Sequence, residues 1–364
     1  MDDIKFMKRA LELAQMAEGN TSPNPMVGAV IVDENGKIVG EGYHHKAGEP
    51  HAEINALTAA GDNAKGATVY VTLEPCSHYG KTGPCCEALI KAGVKRVVSA
   101  VTDPNPLVAG RGLNRLREAG IEVTEGICKD EAKKLNEKFF FWITHKRPFV
   151  SLKYAMTLDG RLAAAGGDSK WITGKEARTY AHYLRKTHDA VLVGKNTVLK
   201  DDCELTTRMV EGKNPIRIVL DSKAELPLDA KILNGEAKTI VAVSESAPHE
   251  KLTQLQQFAN AEILKLPEQN GHLDLNELLQ KLAALEITSL LVEGGSEVHG
   301  AFMDAALGER IYAFVAPKII GGRDAIGPVG GTGSTDMAKA LQLIDIEYKQ
   351  LGADFLITGR TERD

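Results

Sequence analysis

Apolar residues recur along this chain with two periods. Over 1–17, Ile4, Met7, Leu11, Leu13 and Met16 stand among charges at helical spacing, predicting an amphipathic helix and not a cleavable leader. The turn residues Thr21, Ser22, Pro23, Asn24 and Pro25 follow. Two apolar or β-branched runs at 27–32 and 37–42 flank Asp33, Glu34, Asn35 and Gly36 and predict a hairpin with Asn24 at its entrance. Beyond it the pattern alternates: helix 54–60, strand 67–73, helix 85–92 stopped by Gly93, strand 94–101, helix 111–119 ending at Gly120, strand 121–124 and helix 131–141. Such alternation predicts a layered α/β sheet.

The pattern restarts after Pro148. Strands are predicted at 149–155, 190–194, 216–221, 239–243 and 289–293, with helices at 174–187, 275–285 and 297–306. This reads as a second, open α/β sheet with a ligand crevice at the C-terminal strand edges. The boundary falls at 146/147, after Phe139, Phe140, Phe141 and Trp142; an aromatic junction of this kind predicts packed domains, since a flexible linker is rich in Gly and Ser. The apolar stretch 311–320 suits core or a subunit interface equally, so a homo-oligomer stays open.

Composition narrows the partners. With 43% hydrophobic and 26% charged residues the chain reads as globular, and 364 residues suffice for two domains. A formal net charge of −5 and no run of five basic residues give no electrostatic footprint for nucleic acid or an anionic membrane. No apolar run approaches a membrane span. The five cysteines are odd in number, and Cys76, Cys85 and Cys86 are crowded together, which fits a reducing, cytoplasmic compartment with metal binding better than a disulfide framework.

The crowding directs attention to Gly48-Glu49-Pro50-His51-Ala52-Glu53, Glu74-Pro75-Cys76 and Gly83-Pro84-Cys85. One imidazole and two thiolates from His51, Cys76 and Cys85 suit a catalytic zinc, leaving a fourth position for water, with Glu53 as a carboxylate free to move protons. His51 and Glu53 are two apart and would point away from each other inside a helix, so they converge only at a helix start, which Pro50 marks. Pro84 marks another. Helix N-termini favour thiolate over thiol. Neighbours on a helix differ by ~100°, so one of Cys85 and Cys86 faces the metal, and Cys85 at the helix mouth is preferred. The residues also permit a closed structural zinc site, with His78, Cys86 or His44 as fourth ligand. Asn24 can equally be a residue that only holds its turn. In the second half, 290–296 is an apolar strand running into Gly294 and Gly295 before a helix, where a backbone can approach phosphate; without a full GxGxxG it is no ordinary dinucleotide fingerprint.

The segments HAEINAL (51–57) and TLEPCSHYGKTGPC (72–85) resemble the cytidine-deaminase-like zinc enzymes. Eight residues separate the cysteines where the nucleic-acid editors have two. That long loop, with SPNPMVGAVIV (22–32) and DPNPLVAGRG (103–112), is similar to the deaminase half of the bifunctional deaminase–reductases of riboflavin biosynthesis. SLKYAMTLDGRLA (151–163), SKWITG (169–174), VLVGKNTVLKDDCELTTR (191–208) and LLVEGGSEVHGAF (290–302) resemble the reductase half of the same family. The resemblance implies an α/β chain with a cytidine-deaminase-like three-layer domain over 1–146 and a dihydrofolate-reductase-like domain over 147–364.

It implies further a zinc-dependent hydrolytic deamination of 2,5-diamino-6-ribosylamino-4(3H)-pyrimidinone 5′-phosphate, then reduction of the ribosyl group to a ribityl chain with NADPH. Glu53 is the implied proton carrier. Ala155, Trp171, Thr197, Asp201, Ser222, Gly294, Gly295 and Ser296 match the family's cofactor positions. Asn24, Ser169, Arg185, Leu205, Arg208 and Glu293 match its substrate positions. Lys153 reads either as a proton donor or polar anchor, or as a strand lysine directed to solvent. Two departures stand out: Cys203 follows Asp201-Asp202 where the family usually has proline, which restores an N–H and frees a backbone dihedral, and Gly83 replaces another proline without chemical consequence.

Overall fold

The computed structural model describes residues 2–77, 83–105 and 108–362. The chain divides into two compact units, Met1–Lys146 and Arg147–Asp364.

In the first unit the elements run α1 (Asp3–Gln15), β1 (Gly28–Val32), β2 (Ile38–Tyr43), α2 (Ala52–Ala60), β3 (Thr68–Val71), α3 (Cys85–Ala92), β4 (Arg96–Ser99), α4 (Arg111–Glu118), β5 (Glu122–Glu125), α5 (Lys129–Leu135) and α6 (Glu137–His145). The sheet order is β2-β1-β3-β4-β5, antiparallel as far as β3 and parallel beyond it. Strand alternation separates two cores. Ala29, Ile31, Val69, Val71 and Val97 face α2, α3 and α4 through Ala56, Leu89 and Leu116, whereas Val30, Val32, Tyr70 and Val98 face α1 and α5 through Met7, Ala10 and Ala132. Three layers result, as the resemblance implied.

One boundary differs from expectation. The helix predicted over 131–141 is two helices, α5 and α6, meeting at Asn136, whose backbone leaves helical geometry at φ −110°. Asn136 is buried, and its amide exchanges two hydrogen bonds with the Met26 backbone, one in each direction at 2.8 Å. A tertiary contact to a residue 110 positions away, invisible to periodicity, breaks the helix there.

In the second unit come β6 (Phe149–Thr157), α7 (Lys175–Lys186), β7 (Ala190–Gly194), α8 (Lys195–Asp201), β8 (Ile216–Leu220), β9 (Thr239–Ser244), α9 (His249–Leu255), β10 (Ala261–Leu266), the small pair β11 (Glu268–Gln269) and β12 (His272–Leu273), α10 (Leu275–Ala284), β13 (Ser289–Val292), α11 (Ser296–Asp304), β14 (Arg310–Ala316), β15 (Leu343–Leu351) and β16 (Asp354–Thr361). The large sheet has the order β10-β9-β8-β7-β13-β6-β14-β16-β15; every pairing from β10 to β14 is parallel, and β16 and β15 close it antiparallel. Val191, Val219, Val241 and Leu291 pack under α7, α8 and α9; Leu192, Ile218, Ile240, Leu290 and Val292 pack under α10 and α11. Periodicity does not announce strands β10 to β12 and β14 to β16 or helices α8 and α9. The stretch 311–320 divides: Ile311, Ala313 and Phe314 are core, whereas Ile319 and Ile320 are exposed.

The seat of α2 matters for function, because that helix carries the opening motif. Gly40 and Gly42 of β2 let it lie backbone against backbone: an added Cβ at Gly42 would stand 2.4 Å from Ala56 N and 2.7 Å from Ala52 O. Gly42→Ala is expected to cost on the order of 1–3 kcal/mol by overpacking, read as a lower urea midpoint for the first unit with that of the second unchanged.

Candidate metal centre and candidate nucleotide site

His51 is the N-cap of α2, with extended backbone (φ −72°, ψ 164°), and Glu53 lies in the first helical turn. The bend between extended and helical backbone lets two residues so close in sequence reach one site. Pro84 is the N-cap of α3, which makes Cys85 its first residue. Cys76 lies beyond the end of β3. The potential ligand atoms of His51, Cys76 and Cys85 all lie within 4.8 Å of one another. His51 Nδ1 is 3.2 Å from Cys85 Sγ and 3.6 Å from Cys76 Sγ. A tetrahedral zinc with bonds of about 2.0–2.3 Å separates its ligands by roughly 3.3–3.8 Å, so the donor set suits that ion in both chemistry and spacing.

The charges in this cluster are shared. The Cys85 thiol donating to Cys76, and His51 beside it, hold Cys76 down at about 4 against the pull of burial. The same contact, with burial, pushes Cys85 up. His51 is raised by its bond to Cys76 against the effect of burial. Burial, and then the negative charge of Cys76, lift Glu53 to about 7. A dication at this position would favour the anionic form of all three acids.

The other residues weighed as ligands are engaged elsewhere. Cys86 packs in the core with Leu89 and Val94. His44 is buried; its Nδ1 donates to Pro50 O at 3.1 Å, which leaves Nε2 to accept from Asn24 Nδ2 at 3.1 Å. His78 lies outside the described residues. Asn24 is therefore more than a turn former. His44 fixes its amide with Oδ1 directed away from that bond, and the same ring braces the carbonyl just before His51.

In the second unit Glu293 follows β13, its side chain only 6% exposed, and meets the largely covered side chains of Arg185 of α7 and Lys153 of β6. Arg185 grips it with two bonds, Nε at 2.6 Å and Nη2 at 2.9 Å, and Lys153 Nζ stands 3.4 Å away. Burial raises Glu293, but Arg185 and Lys153 outweigh it and hold the carboxyl well below its usual range. Lys153 is thus an ion-paired strand lysine and not one directed to solvent. Arg185 also donates to Thr206 O at 3.0 Å, so most of its donors are committed within the protein. Arg208 is 55% exposed at its side chain and meets Glu204 at only 3.4 Å, leaving it the freer guanidinium. Leu205 has a left-handed backbone (φ 54°) and a buried side chain, so it can meet a ligand only through its main chain.

The positions matched to a cofactor gather in part. Gly294 and Gly295 join β13 to α11, Ser296 opens that helix, and Thr197 lies in α8 after the adjacent strand β7. An added Cβ at Gly294 would stand 3.1 Å from Gly194 N, and one at Gly295 3.9 Å from Thr197 Oγ1. Val298 of α11 packs against both backbones, 2.9 Å from an added Cβ at Gly194 and 3.1 Å from one at Gly294, so the ends of the two strands approach closely around that side chain. Ala155 of β6 and Ser222 after β8 lie on flanking strands, and Asp201 ends α8. Trp171 lies after Ser169 in the loop from β6 to α7, 63% exposed, with the Arg178 guanidinium 4.6 Å from its ring. Cys203 is partly buried against the core, its thiol pushed up to about 12 by burial and then by Glu293.

Residues 1–101 match the family described as the cytidine and deoxycytidylate deaminase zinc-binding region, and residues 148–357 match the RibD C-terminal domain. The riboflavin biosynthesis protein RibD of Aquifex aeolicus is 49% identical over 356 residues, spanning 98% of this chain and 97% of the relative. The chain belongs to the RibD family. Acinetobacter baumannii RibD superimposes with a TM-score of 0.89 at 41% identity over 99% of both chains. The Thermotoga maritima diaminohydroxyphosphoribosylaminopyrimidine deaminase/5-amino-6-(5-phosphoribosylamino)uracil reductase does so with 0.86 at 40% identity, over 99% of this chain and 98% of the other. Members of the RibD family are bifunctional deaminases and reductases of riboflavin biosynthesis, and this chain joins a deaminase domain to a dihydrofolate-reductase-like domain in the same way. No helix among the described residues is long and apolar enough to cross a membrane.

His44 entered the sequence reading only as an alternative ligand. Its spacing from Asn24 and Pro50 carries no periodic signal, and only the hairpin brings the three together. A pH dependence follows from the Glu293 cluster. A carboxyl depressed in the folded state contributes stability above its unfolded value and loses it as pH falls. Glu293→Gln is expected to lower the thermal midpoint at neutral pH, with a loss of about 3–5 kcal/mol from the broken buried pair. The gap to the unmodified protein should begin to narrow as pH falls through about 4.3, the ordinary value of the unfolded carboxyl, and go on narrowing below it.

Proposed function

We propose that this chain catalyses two successive reactions on one pyrimidine ribosyl phosphate. The first unit hydrolytically deaminates 2,5-diamino-6-ribosylamino-4(3H)-pyrimidinone 5′-phosphate; the second reduces the ribosyl group of 5-amino-6-(5-phosphoribosylamino)uracil to the ribityl product with NADPH. The observation that carries the reading is a buried carboxylate, Glu53, beside a three-donor cluster in a chain that aligns along its length with the deaminase–reductases.

In the first unit His51, Cys76 and Cys85 would hold zinc, which when bound would supply a water acidic enough to ionise near neutral pH. The Glu53 carboxylate would take a proton from the attacking water, pass it to the ring nitrogen and assist departure of the amine as ammonia. A group that must act first as base and then as acid works best with an affinity near the working pH, and burial moves Glu53 in that direction. Asn24, its amide held by His44, offers Oδ1 to a donor on the pyrimidine.

In the second unit the hydride would come from NADPH when bound, and the chain's task is orientation. Gly294, Gly295, Ser296 and Thr197, with Ala155, Trp171, Asp201 and Ser222, would hold that cofactor. Arg208 contacts the sugar phosphate as the freer cation, with Ser169 and the Leu205 main chain beside it. Arg185 acts chiefly by fixing Glu293, and Lys153, paired to that carboxylate, can offer a proton to the opening sugar. Preference for NADPH over NADH follows the family and not a residue seen to meet a 2′-phosphate.

With the pyrimidine substrate the protein should release ammonia and then oxidise NADPH. Zinc-loaded protein that deaminates cytidine or a tRNA while leaving the pyrimidine untouched would overturn the assignment. Glu53→Gln is expected to cut ammonia release by at least ~100-fold, the scale of general acid–base catalysis, with zinc content unchanged by atomic absorption and NADPH oxidation on the uracil intermediate intact. Arg208→Ala should raise KM for that intermediate and leave deamination alone.

A further inference from the structure

Beyond β3 the chain passes through Glu74 and Pro75 to the ligand Cys76. Glu74 is 3% exposed, and its carboxylate accepts four backbone N–H groups. Oε2 receives those of Asp103 at 3.1 Å and Gly110 at 2.8 Å; Oε1 receives those of Gly112 at 2.9 Å and Leu113 at 3.4 Å. Three of the four belong to the start of α4. That helix has Gly110 as its N-cap, so no capping side chain of its own satisfies the N–H groups every helix leaves unpaired there. Glu74 does so from another part of the chain, and its negative charge sits at the positive end of the helix.

The fit leaves no slack. An added Cβ at Gly112 would stand 1.9 Å from Pro75 O, so α4 lies hard against the peptide that precedes Cys76. Glu74 N is itself tied to Val101 O at 2.9 Å. On its other side Cys76 is fastened to the next helix: its Sγ accepts from Cys85 N at 3.3 Å and its carbonyl from Cys86 N at 3.2 Å. Residues 74–76 are therefore a short bridge between two helix starts, α4 gripped by the carboxylate and α3 by the thiolate and its carbonyl. Only Pro75, with its φ restrained by the ring, separates the grip from the metal ligand.

We propose that Glu74 is a positioning residue for the metal centre: by binding the start of α4 it fixes where Cys76 Sγ stands relative to His51 and Cys85, and so sets the affinity for zinc. The inference rests on the zinc reading of His51, Cys76 and Cys85. A carboxylate is required because all four partners are donors. An amide of the same shape would turn an NH2 toward two N–H groups, and the side chain would have to move, taking Pro75 and Cys76 with it.

The test is competition for zinc between the full-length protein and a chromogenic chelator of known affinity, alongside thermal melts and NADPH oxidation with the uracil intermediate. Glu74→Gln is expected to lower zinc affinity ~10–100-fold, the scale on which residues supporting a metal's ligands act, while the second unit's activity is retained. Gly112→Ala pushes on Pro75 from the opposite side with Glu74 intact and should lower zinc affinity as well. A role confined to capping α4 would lower the melting temperature of Glu74→Gln and leave its zinc affinity unchanged, and that result overturns the proposal. If Glu74→Gln fails to fold, an unchanged affinity in Gly112→Ala overturns it equally. Failure of the unmodified protein to take one zinc per chain at this site would sink the zinc reading itself, an outcome distinct from tight binding by all three proteins.

Discussion

A negative charge taken out of water must be met by positive charge or donated hydrogen bonds, and both units are built around buried anions satisfied in different ways. In the first, the thiolate character of Cys76 and the carboxylate of Glu74 are met at the starts of helices α3 and α4, where unpaired N–H groups and the helix dipole supply the compensation, whereas Glu53 in the first turn of α2 is lifted by burial. In the second, Glu293 is met by the side-chain cations of Arg185 and Lys153. Neither arrangement tolerates loss of one partner, because the other is left charged in a medium that solvates it poorly.

The difference suits the chemistry. A helix start gives directed donors and a diffuse positive field without placing a competing cation near a metal, so His51, Cys76 and Cys85 stay open to a dication. A guanidinium–carboxylate pair gives a rigid, directional platform, which orienting a sugar against a cofactor requires. Arg185, bonded twice to Glu293 and once to Thr206 O, serves that rigidity, while Arg208 is the more exposed of the two guanidinium groups.

Close backbone approach is the second shared device. Gly42 seats α2 on β2 and so places His51 and Glu53; Gly112 seats α4 on Pro75 and so places Cys76; Gly294 lets the chain after β13 pass close to Gly194 at the end of β7, with Val298 packed against both. In each case a neighbour distant in sequence sets the approach.

Periodicity made the layered architecture legible, and the prolines before His51 and Cys85 announced that the ligands stand at helix starts. The motif residues named the metal set, and their fusion to the second group of motifs named the family. Other features had no local signal. The break at Asn136 depends on Met26, the closing strands β15 and β16 alternate weakly because much of β15 is exposed, and the apolar stretch at 311–320 divides between core and surface only once β14 is laid beside β6. The amide orientation of Asn24, the pairing of Lys153 with Glu293 and the grip of Glu74 on α4 were likewise decided by the tertiary structure. Sequence by itself determined which residue types can do the chemistry, since ligand and acid–base roles are properties of single side chains and their spacing. Which groups are buried, what satisfies them and how firmly they are held depend on contacts between segments far apart along the chain, and those exist only in the fold.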